Sequence, residues 1–72
     1  MCDGMTIDDN GNVYLTIIGV NVYSAGGKLI KNIKVPEGPT NVCFGGKDRK
    51  TLFITTPKAL YSVSLDDIKL PK

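Results

Sequence analysis

The fold is decided by residues 9–23, DNGNVYLTIIGVNVY, where a turn signal precedes two runs of alternating apolar residues. Apolar side chains recur at every second position from Val13 to Ile17, and again at Val20 and Val22. A period of two that is rich in Val, Ile, Thr and Tyr is typical of β-strands, because successive side chains point to opposite faces. Asn and Gly tolerate the positive φ of tight turns. The stretch therefore predicts a hairpin that turns at Asp9-Asn10-Gly11, followed by a further strand.

The same alternation extends along the chain and predicts an all-β protein. No segment of ten or more residues keeps a helical stripe between Gly and Pro breakers, so we expect no helix longer than one turn. Residues 46–50 form a second predicted hairpin loop. The predicted strands lie near 5–8, 12–17, 20–24, 28–35, 41–45, 51–56 and 59–65, with a weak eighth near 67–70.

Two similar halves flank the Pro-Glu-Gly-Pro segment at 36–39. Residues 12–16 align with residues 51–55, and the flanking pairs that align are Gly4-Met5 with Asn41-Val42 and Gly19-Val20 with Ala59-Leu60. A repeat of four antiparallel strands near 40 residues is typical of a β-propeller blade. We predict one partial propeller over 1–72, with a first blade-like repeat at about 3–35, a linker at 36–39 and a second repeat at about 40–70. An independent small β-barrel or sandwich is the alternative.

Composition excludes several classes of function. The 72 residues include no His, which excludes Ser-His-Asp and Cys-His catalysis and His-ligated zinc or haem. Two Cys cannot form a four-Cys metal cage. A net charge of +2 without a basic stripe favours neither a nucleic acid nor a membrane partner, and no apolar run reaches transmembrane length. Residues 1–4 lack the layout of a signal peptide, so a cytoplasmic location is the default expectation.

Three segments carry a resemblance to a known family. They are Asp3-Gly4-Met5 followed by residues 8–14, then residues 35–42, then residues 44–55, FGGKDRKTLFIT. In order and spacing they resemble the gluconolactonase, regucalcin (senescence marker protein) and luciferin-regenerating enzyme family. The resemblance implies a six-bladed β-propeller, of which this chain is similar to the C-terminal third, about two four-stranded blades. The chain is therefore expected to be a truncated reading frame, a split gene product or a deliberate fragment.

The resemblance also implies a divalent-metal hydrolase. Its ion, with Ca²⁺ favoured and Zn²⁺ or Mg²⁺ as alternatives, polarises a lactone or ester carbonyl while an acidic residue and water complete the hydrolysis. Of the ligands that the family implies, only Asp3 has a counterpart here, as metal ligand and catalytic residue. The alternative is a solvated terminal acid or a turn acceptor. A hard cation needs six to eight oxygen ligands. We therefore expect this chain alone to bind metal weakly and to be inactive.

Other residues have competing interpretations. Thr40 and Asn41 occupy, one repeat later, the place of Asp3-Gly4. They are therefore candidates to line the central channel of an assembled propeller. The alternative is that they cap the loop that enters a strand. Residues 8–12 resemble an EF-hand loop but lack its Glu and flanking helices, so a hairpin turn is favoured. Cys2 and Cys43 are expected to be free thiols, with Cys43 a small buried hydrophobe.

Three functions compete at this point. The first is a piece of a metal-dependent lactone or ester hydrolase, with a small-molecule lactone or ester as substrate once the propeller is assembled. The second is a structural module that supplies blades to a self-assembled propeller, since three copies of two blades make six. The third is a remnant without a function of its own. Two blades are too few to cover every apolar strand residue, so an exposed apolar face and a homo-oligomer are expected.

Overall fold

The chain forms two antiparallel β-sheets and one short helix in a computed structural model, which describes residues 4–70. Strands β1 to β4 form the first sheet in sequence order, and β5 to β7 form the second sheet. This confirms the predicted all-β class with two consecutive meanders, and the strand bounds differ from the predicted ones by at most two residues. The elements are β1 (Met5–Ile7), β2 (Val13–Ile17), β3 (Gly19–Tyr23), β4 (Leu29–Ile33), β5 (Asn41–Gly45), β6 (Thr51–Thr55), β7 (Leu60–Ser64) and α1 (Leu65–Ile68).

The weak eighth strand predicted near 67–70 is wrong, because a single helical turn, α1, begins at Leu65 and extends into this stretch. The side chain of Ser64 caps α1 by accepting a hydrogen bond from the backbone N–H of Asp66 at 3.3 Å. Asp66 and Asp67 lie in the first turn, where a carboxylate is favoured by the positive end of the helix dipole. The turn ends at Lys69, whose left-handed φ of 56° stops the helix. Local capping thus outweighs a short apolar alternation.

The predicted hairpin turn after β1 is confirmed. The backbone N–H of Gly11 donates to the carbonyl of Asp8 at 3.1 Å, and the N–H of Asp8 donates to the carbonyl of Asn12 at 3.0 Å. Gly11 has a φ of 86°, a conformation that costs a glycine little. The turn therefore fixes the register in which Ile7 lies opposite Val13.

The core lies between the two sheets, which pack face to face. Tyr14 on the first sheet meets Phe44 on the second edge to face, with ring centroids 4.9 Å apart and planes at 89°. Such a geometry is favoured by the aromatic quadrupoles. The buried apolar residues are Tyr14, Val20, Val22, Val42, Phe44, Leu52, Ile54 and Ile68.

The other side of the first sheet leaves apolar side chains exposed, as predicted from the small number of strands. In β2 it is Tyr14 and Thr16 that point into the core, whereas Ile17 on the opposite face is 39% exposed. Met5 and Ile7 on β1 are more exposed still, at 60% and 54%. The first sheet therefore has one covered face and one uncovered apolar face.

Cys43 corrects an expectation, because it is exposed rather than buried. It lies on β5 between Val42 and Phe44, both of which point into the core. Strand alternation then turns Cys43 to the outer face of the second sheet, where its thiol is free. Cys2 lies outside the described residues.

The segment that joins the two sheets is tied to the second of them. The Glu37 carboxylate accepts hydrogen bonds from the hydroxyls of Thr56 at 2.8 Å and Tyr61 at 3.2 Å. Pro39, two residues later, is buried. These contacts hold the segment against β6 and β7, and thereby set where β5 begins.

Candidate functional site

The first strands of the two sheets begin side by side, and this places Gly4 against Asn41. A Cβ atom added to Gly4 would collide with the side-chain oxygen of Asn41 and would lie 2.8 Å from its Cα. Only a glycine allows so close an approach between the two chain segments. Residues at the starts of β1 and β5 are thus brought to one end of the sheet pair, although they are far apart in sequence.

Thr16 holds the backbone of Gly4 in place through hydrogen bonds. Its buried hydroxyl accepts a hydrogen bond from the N–H of Gly4 at 2.8 Å and donates to the carbonyl of Gly4 at 3.2 Å. The backbone N–H of Thr16 reaches the same carbonyl at 3.0 Å. Sequence analysis did not single out Thr16, because a Thr at an alternating strand position gives no sign of which face is covered.

Thr40 and Asn41, the two candidate channel-lining residues, are both exposed at this end. The backbone N–H of Thr40 donates to the carbonyl of Thr55 at 2.8 Å, and the two Thr hydroxyls are 3.1 Å apart. The side-chain oxygen of Asn41 accepts from the N–H of Val42 at 2.8 Å. Both side chains thus take part in ordering the entry to β5. Asp3, the candidate catalytic residue and metal ligand, lies outside the described residues.

Asp8 is the most heavily hydrogen-bonded acid among the described residues, and sequence analysis treated it only as part of a turn. One carboxylate oxygen accepts from the backbone N–H groups of Asn10 and Asn12, each at 2.9 Å. The other accepts from the Asn12 amide at 2.9 Å and from the Tyr14 hydroxyl at 3.0 Å. All four donors lie within six residues of Asp8, so the signal was present locally as the Asp-Asp-Asn-Gly-Asn sequence of residues 8–12.

This network shifts two pKa values in opposite directions. Burial tends to raise the pKa of Asp8, but the hydrogen bonds from Asn12, Tyr14 and Asn10 outweigh it and lower that pKa below 3.8. Burial, together with the hydrogen bond to Asp8 and its negative charge, raises the pKa of Tyr14 well above its usual range. The ionised carboxylate of Asp8 therefore stabilises the turn between β1 and β2. Its oxygens are occupied within the hairpin, in agreement with the turn interpretation of residues 8–12.

We expect the free energy of unfolding to fall in acid as Asp8 becomes protonated. Because its folded-state pKa lies below the ordinary value of 3.8, its stabilisation is present above that value and is lost as pH falls through the folded pKa. Urea unfolding measured between pH 2 and pH 7 tests this, with Asp8→Asn as the control that removes this titration. Equal pH dependence in the two proteins would show that Asp8 does not contribute.

Comparison with known proteins identifies the family. The SMP-30/Gluconolactonase/LRE-like region matches residues 1–58. The chain belongs to this family. The chain is similar to YvrE of Bacillus subtilis (strain 168), provisionally named a sugar lactone lactonase, with 44% identity over 59 residues. Regucalcin of Danio rerio is 36% identical over 59 residues. Each alignment covers 75% of this chain and 20% of the relative, so the chain spans about a fifth of the curated relatives it matches.

A solved structure confirms the fold of this family for the chain. The X-ray structure of a provisionally assigned gluconolactonase, target DrR130 of the Northeast Structural Genomics Consortium, superposes with a TM-score of 0.82 at 26% identity. The match covers 96% of this chain and 23% of that one. The two sheets are accordingly an open portion of a gluconolactonase propeller.

The described residues do not by themselves fit a metal ion. Within residues 4–70, no three His, Cys, Asp or Glu side chains lie close enough together to hold one. Asn41 brings one amide oxygen to the end where β1 and β5 begin, and a divalent cation needs several more donors. No catalytic step is therefore assigned to a metal on these residues. In the same part of the chain, no helix is long and apolar enough to cross a membrane.

Proposed function

We propose that this chain forms two blades of a metal-dependent lactone or ester hydrolase and has no such activity alone. The observation that carries the proposal is the family match over residues 1–58, together with a relative named for lactone hydrolysis. The substrate class is a small lactone or ester, and Ca²⁺ is the favoured ion, with Zn²⁺ or Mg²⁺ as alternatives. The remaining blades would supply the rest of the site.

In this proposal the chain's share of the site is Asp3, with Thr40 and Asn41 beside it on the channel. The contact between Gly4 and Asn41 supports this, because Gly4 follows Asp3 in the chain and lies against the start of the next sheet. Asp3 would supply a carboxylate oxygen to the ion and Asn41 an amide oxygen toward the channel. Thr16 would act indirectly, by holding the backbone of Gly4 in place.

A chimera tests the proposal. The part of Bacillus subtilis YvrE that corresponds to residues 1–58 is replaced by residues 1–58 of this chain, and hydrolysis of a sugar lactone by the parent and the chimera is measured with Ca²⁺ and with EDTA. We expect a folded chimera with metal-dependent turnover within about tenfold of its parent, since the same fold positions the same groups. A folded chimera without turnover would contradict the proposal. The 72-residue chain alone should show no turnover above buffer under the same conditions.

A second candidate function is a structural module that self-associates. The uncovered apolar face of the first sheet favours it, because exposed apolar patches of this kind usually mark an interaction surface. Sedimentation of the 72-residue chain tests this candidate, and a concentration-independent monomer would exclude it.

A further inference from the structure

The two ends of the Asn41 side-chain amide are used differently. Its oxygen accepts a hydrogen bond from the backbone N–H of Val42 at 2.8 Å. Because a backbone N–H needs an acceptor, this contact assigns which end of the amide is the oxygen and which is the nitrogen. The nitrogen carries two N–H donors, and it donates to none of the described residues, 4–70. Asn41 therefore presents an unused donor on an exposed side chain.

The direction of this donor is restrained by the contacts around the amide oxygen. A Cβ atom added to Gly4 would lie 2.7 Å from the amide carbon of Asn41, so the chain at Gly4 closes one side of the side chain. Gly4 is itself held by the hydroxyl of Thr16 at 2.8 Å. The backbone carbonyl of Asn41 accepts from the hydroxyl of Thr55 at 3.4 Å. An amide whose oxygen side is restrained keeps its N–H groups in one direction.

The nearest polar neighbours of this amide are uncharged. Asn41 lies opposite Thr55 in the ladder between β5 and β6, and the hydroxyls of Thr40 and Thr55 are 3.1 Å apart. Both threonines are exposed, and neither β5 nor β6 contains Lys, Arg, Asp or Glu. A neutral N–H donor with hydroxyl neighbours favours a neutral acceptor such as a carbonyl oxygen, whereas carboxylates and phosphates are bound by cations.

We propose that the side-chain N–H of Asn41 donates a hydrogen bond to the carbonyl oxygen of the lactone or ester substrate. This inference rests on the proposed function, which places Asn41 on the channel and gives a role only to its oxygen. As water adds to the carbonyl carbon, the carbonyl oxygen gains negative charge, and a donor that is already oriented stabilises this charge. Asn41 is then a catalytic residue through its amide nitrogen.

Asn41→Asp in the YvrE chimera separates the two ends of the side chain. Asp keeps an oxygen that accepts from the N–H of Val42 and keeps the shape beside Gly4, but its ionised carboxylate has no donor. We expect kcat for the sugar lactone to fall by about 100-fold, the effect of removing one such donor. Asn10→Asp is the charge-matched control, since Asn10 is exposed in the turn after β1, and its kcat should equal that of the unsubstituted chimera.

Binding of an unreactive analogue distinguishes this role from a structural one. The lactam of the same sugar keeps the carbonyl oxygen but resists hydrolysis, and its binding to each chimera is measured by isothermal titration calorimetry. We expect Asn41→Asp to weaken lactam binding by about tenfold, as the loss of one hydrogen bond implies, and Asn10→Asp to leave it unchanged. Circular dichroism and the melting temperature should show both variants folded.

The outcomes separate this inference from the proposed function. A folded Asn41→Asp chimera that hydrolyses the lactone and binds the lactam like the unsubstituted chimera overturns the donor role, while the proposed function stands. An Asn41→Asp chimera that no longer folds overturns it as well, because Asp retains the acceptor for Val42. If the unsubstituted chimera folds without turnover, the proposed function fails and this inference fails with it.

Discussion

Replacing Phe44 by Ala is expected to abolish cooperative folding of the isolated chain. Phe44 is buried on the second sheet and contacts Tyr14 of the first sheet at 4.9 Å between ring centroids, so it joins the two halves of the core. Truncation of a buried Phe costs about 3–5 kcal/mol. A single small core rarely supplies more than about 3–5 kcal/mol in total at this chain length. Urea unfolding followed by circular dichroism should therefore show no transition for Phe44→Ala.

Two further variants make this result interpretable. Phe44→Leu keeps most of the volume and should lose only about 1 kcal/mol, which leaves a measurable transition. Phe53→Ala changes the same residue type on the outer face of the second sheet. Because Phe53 is only half-buried there, this substitution should lower the free energy of unfolding by less than Phe44→Ala does. Because association shifts apparent stability, all proteins are compared at one concentration. A Phe44→Ala protein that unfolds like Phe53→Ala would refute a core shared by the two sheets.

Replacing Asp8 by Ala is expected to lower the free energy of unfolding by roughly 3 kcal/mol, because hydrogen bonds to a charged group are strong and unpaired buried donors are costly. The substitution removes the acceptor for Asn10, Asn12 and Tyr14 at once. The Tyr14 hydroxyl is then left in the core without this partner. Urea unfolding at pH 7 measures the loss.

The matched control is Asp9→Ala, which changes the neighbouring acid in the same turn. Asp9 is exposed, so its removal should change the free energy of unfolding by less than about 0.5 kcal/mol. Tyr14→Phe removes one of the four donors to Asp8. Its loss in free energy of unfolding should lie between those of Asp9→Ala and Asp8→Ala, at about 1–2 kcal/mol. If Asp8→Ala and Asp9→Ala have equal effects, the carboxylate of Asp8 does not stabilise the turn.

The strands and turns could be predicted from the sequence because their determinants are local. Period-two alternation from Val13 to Ile17 and the Asp9-Asn10-Gly11 turn are both contained in one hairpin, and the structure has them in place. The eighth strand predicted near 67–70 is absent from the described residues for an equally local reason. The cap of Ser64 and the two acids that follow it favour a helical turn, and a short apolar alternation does not outweigh them.

Which face of a strand is covered could not be predicted in the same way. Alternation in β2 separates Val13, Leu15 and Ile17 from Tyr14 and Thr16, but both sets contain bulky or branched residues. The choice is made by the second sheet, which packs on Tyr14 and Thr16. The same packing turns Cys43 outward and Val42 inward. Burial is thus decided by contacts between residues that are distant in sequence.

The candidate site was predictable only in part, for the same reason. The repeat places Thr40 and Asn41 in the position of Asp3-Gly4, and the structure sets Asn41 against Gly4. The hydroxyl of Thr16, which holds Gly4, belongs to a different strand and gives no motif. The Asp8 network was visible as a turn signal, but its buried partner Tyr14 became apparent only with the packed sheets.

Lactone turnover by the YvrE chimera, measured with and without Asp3→Ala, tests most directly whether this chain supplies part of a lactone-hydrolysing propeller. The matched control is Asp9→Ala, an acid in the exposed turn after β1. We expect Asp3→Ala to lower metal-dependent turnover by about 100-fold or more, since even partners outside the ligand shell are worth 10- to 100-fold. Asp9→Ala should leave turnover unchanged. A folded Asp3→Ala chimera that hydrolyses the lactone as fast as the Asp9→Ala chimera would contradict the proposed role of this chain.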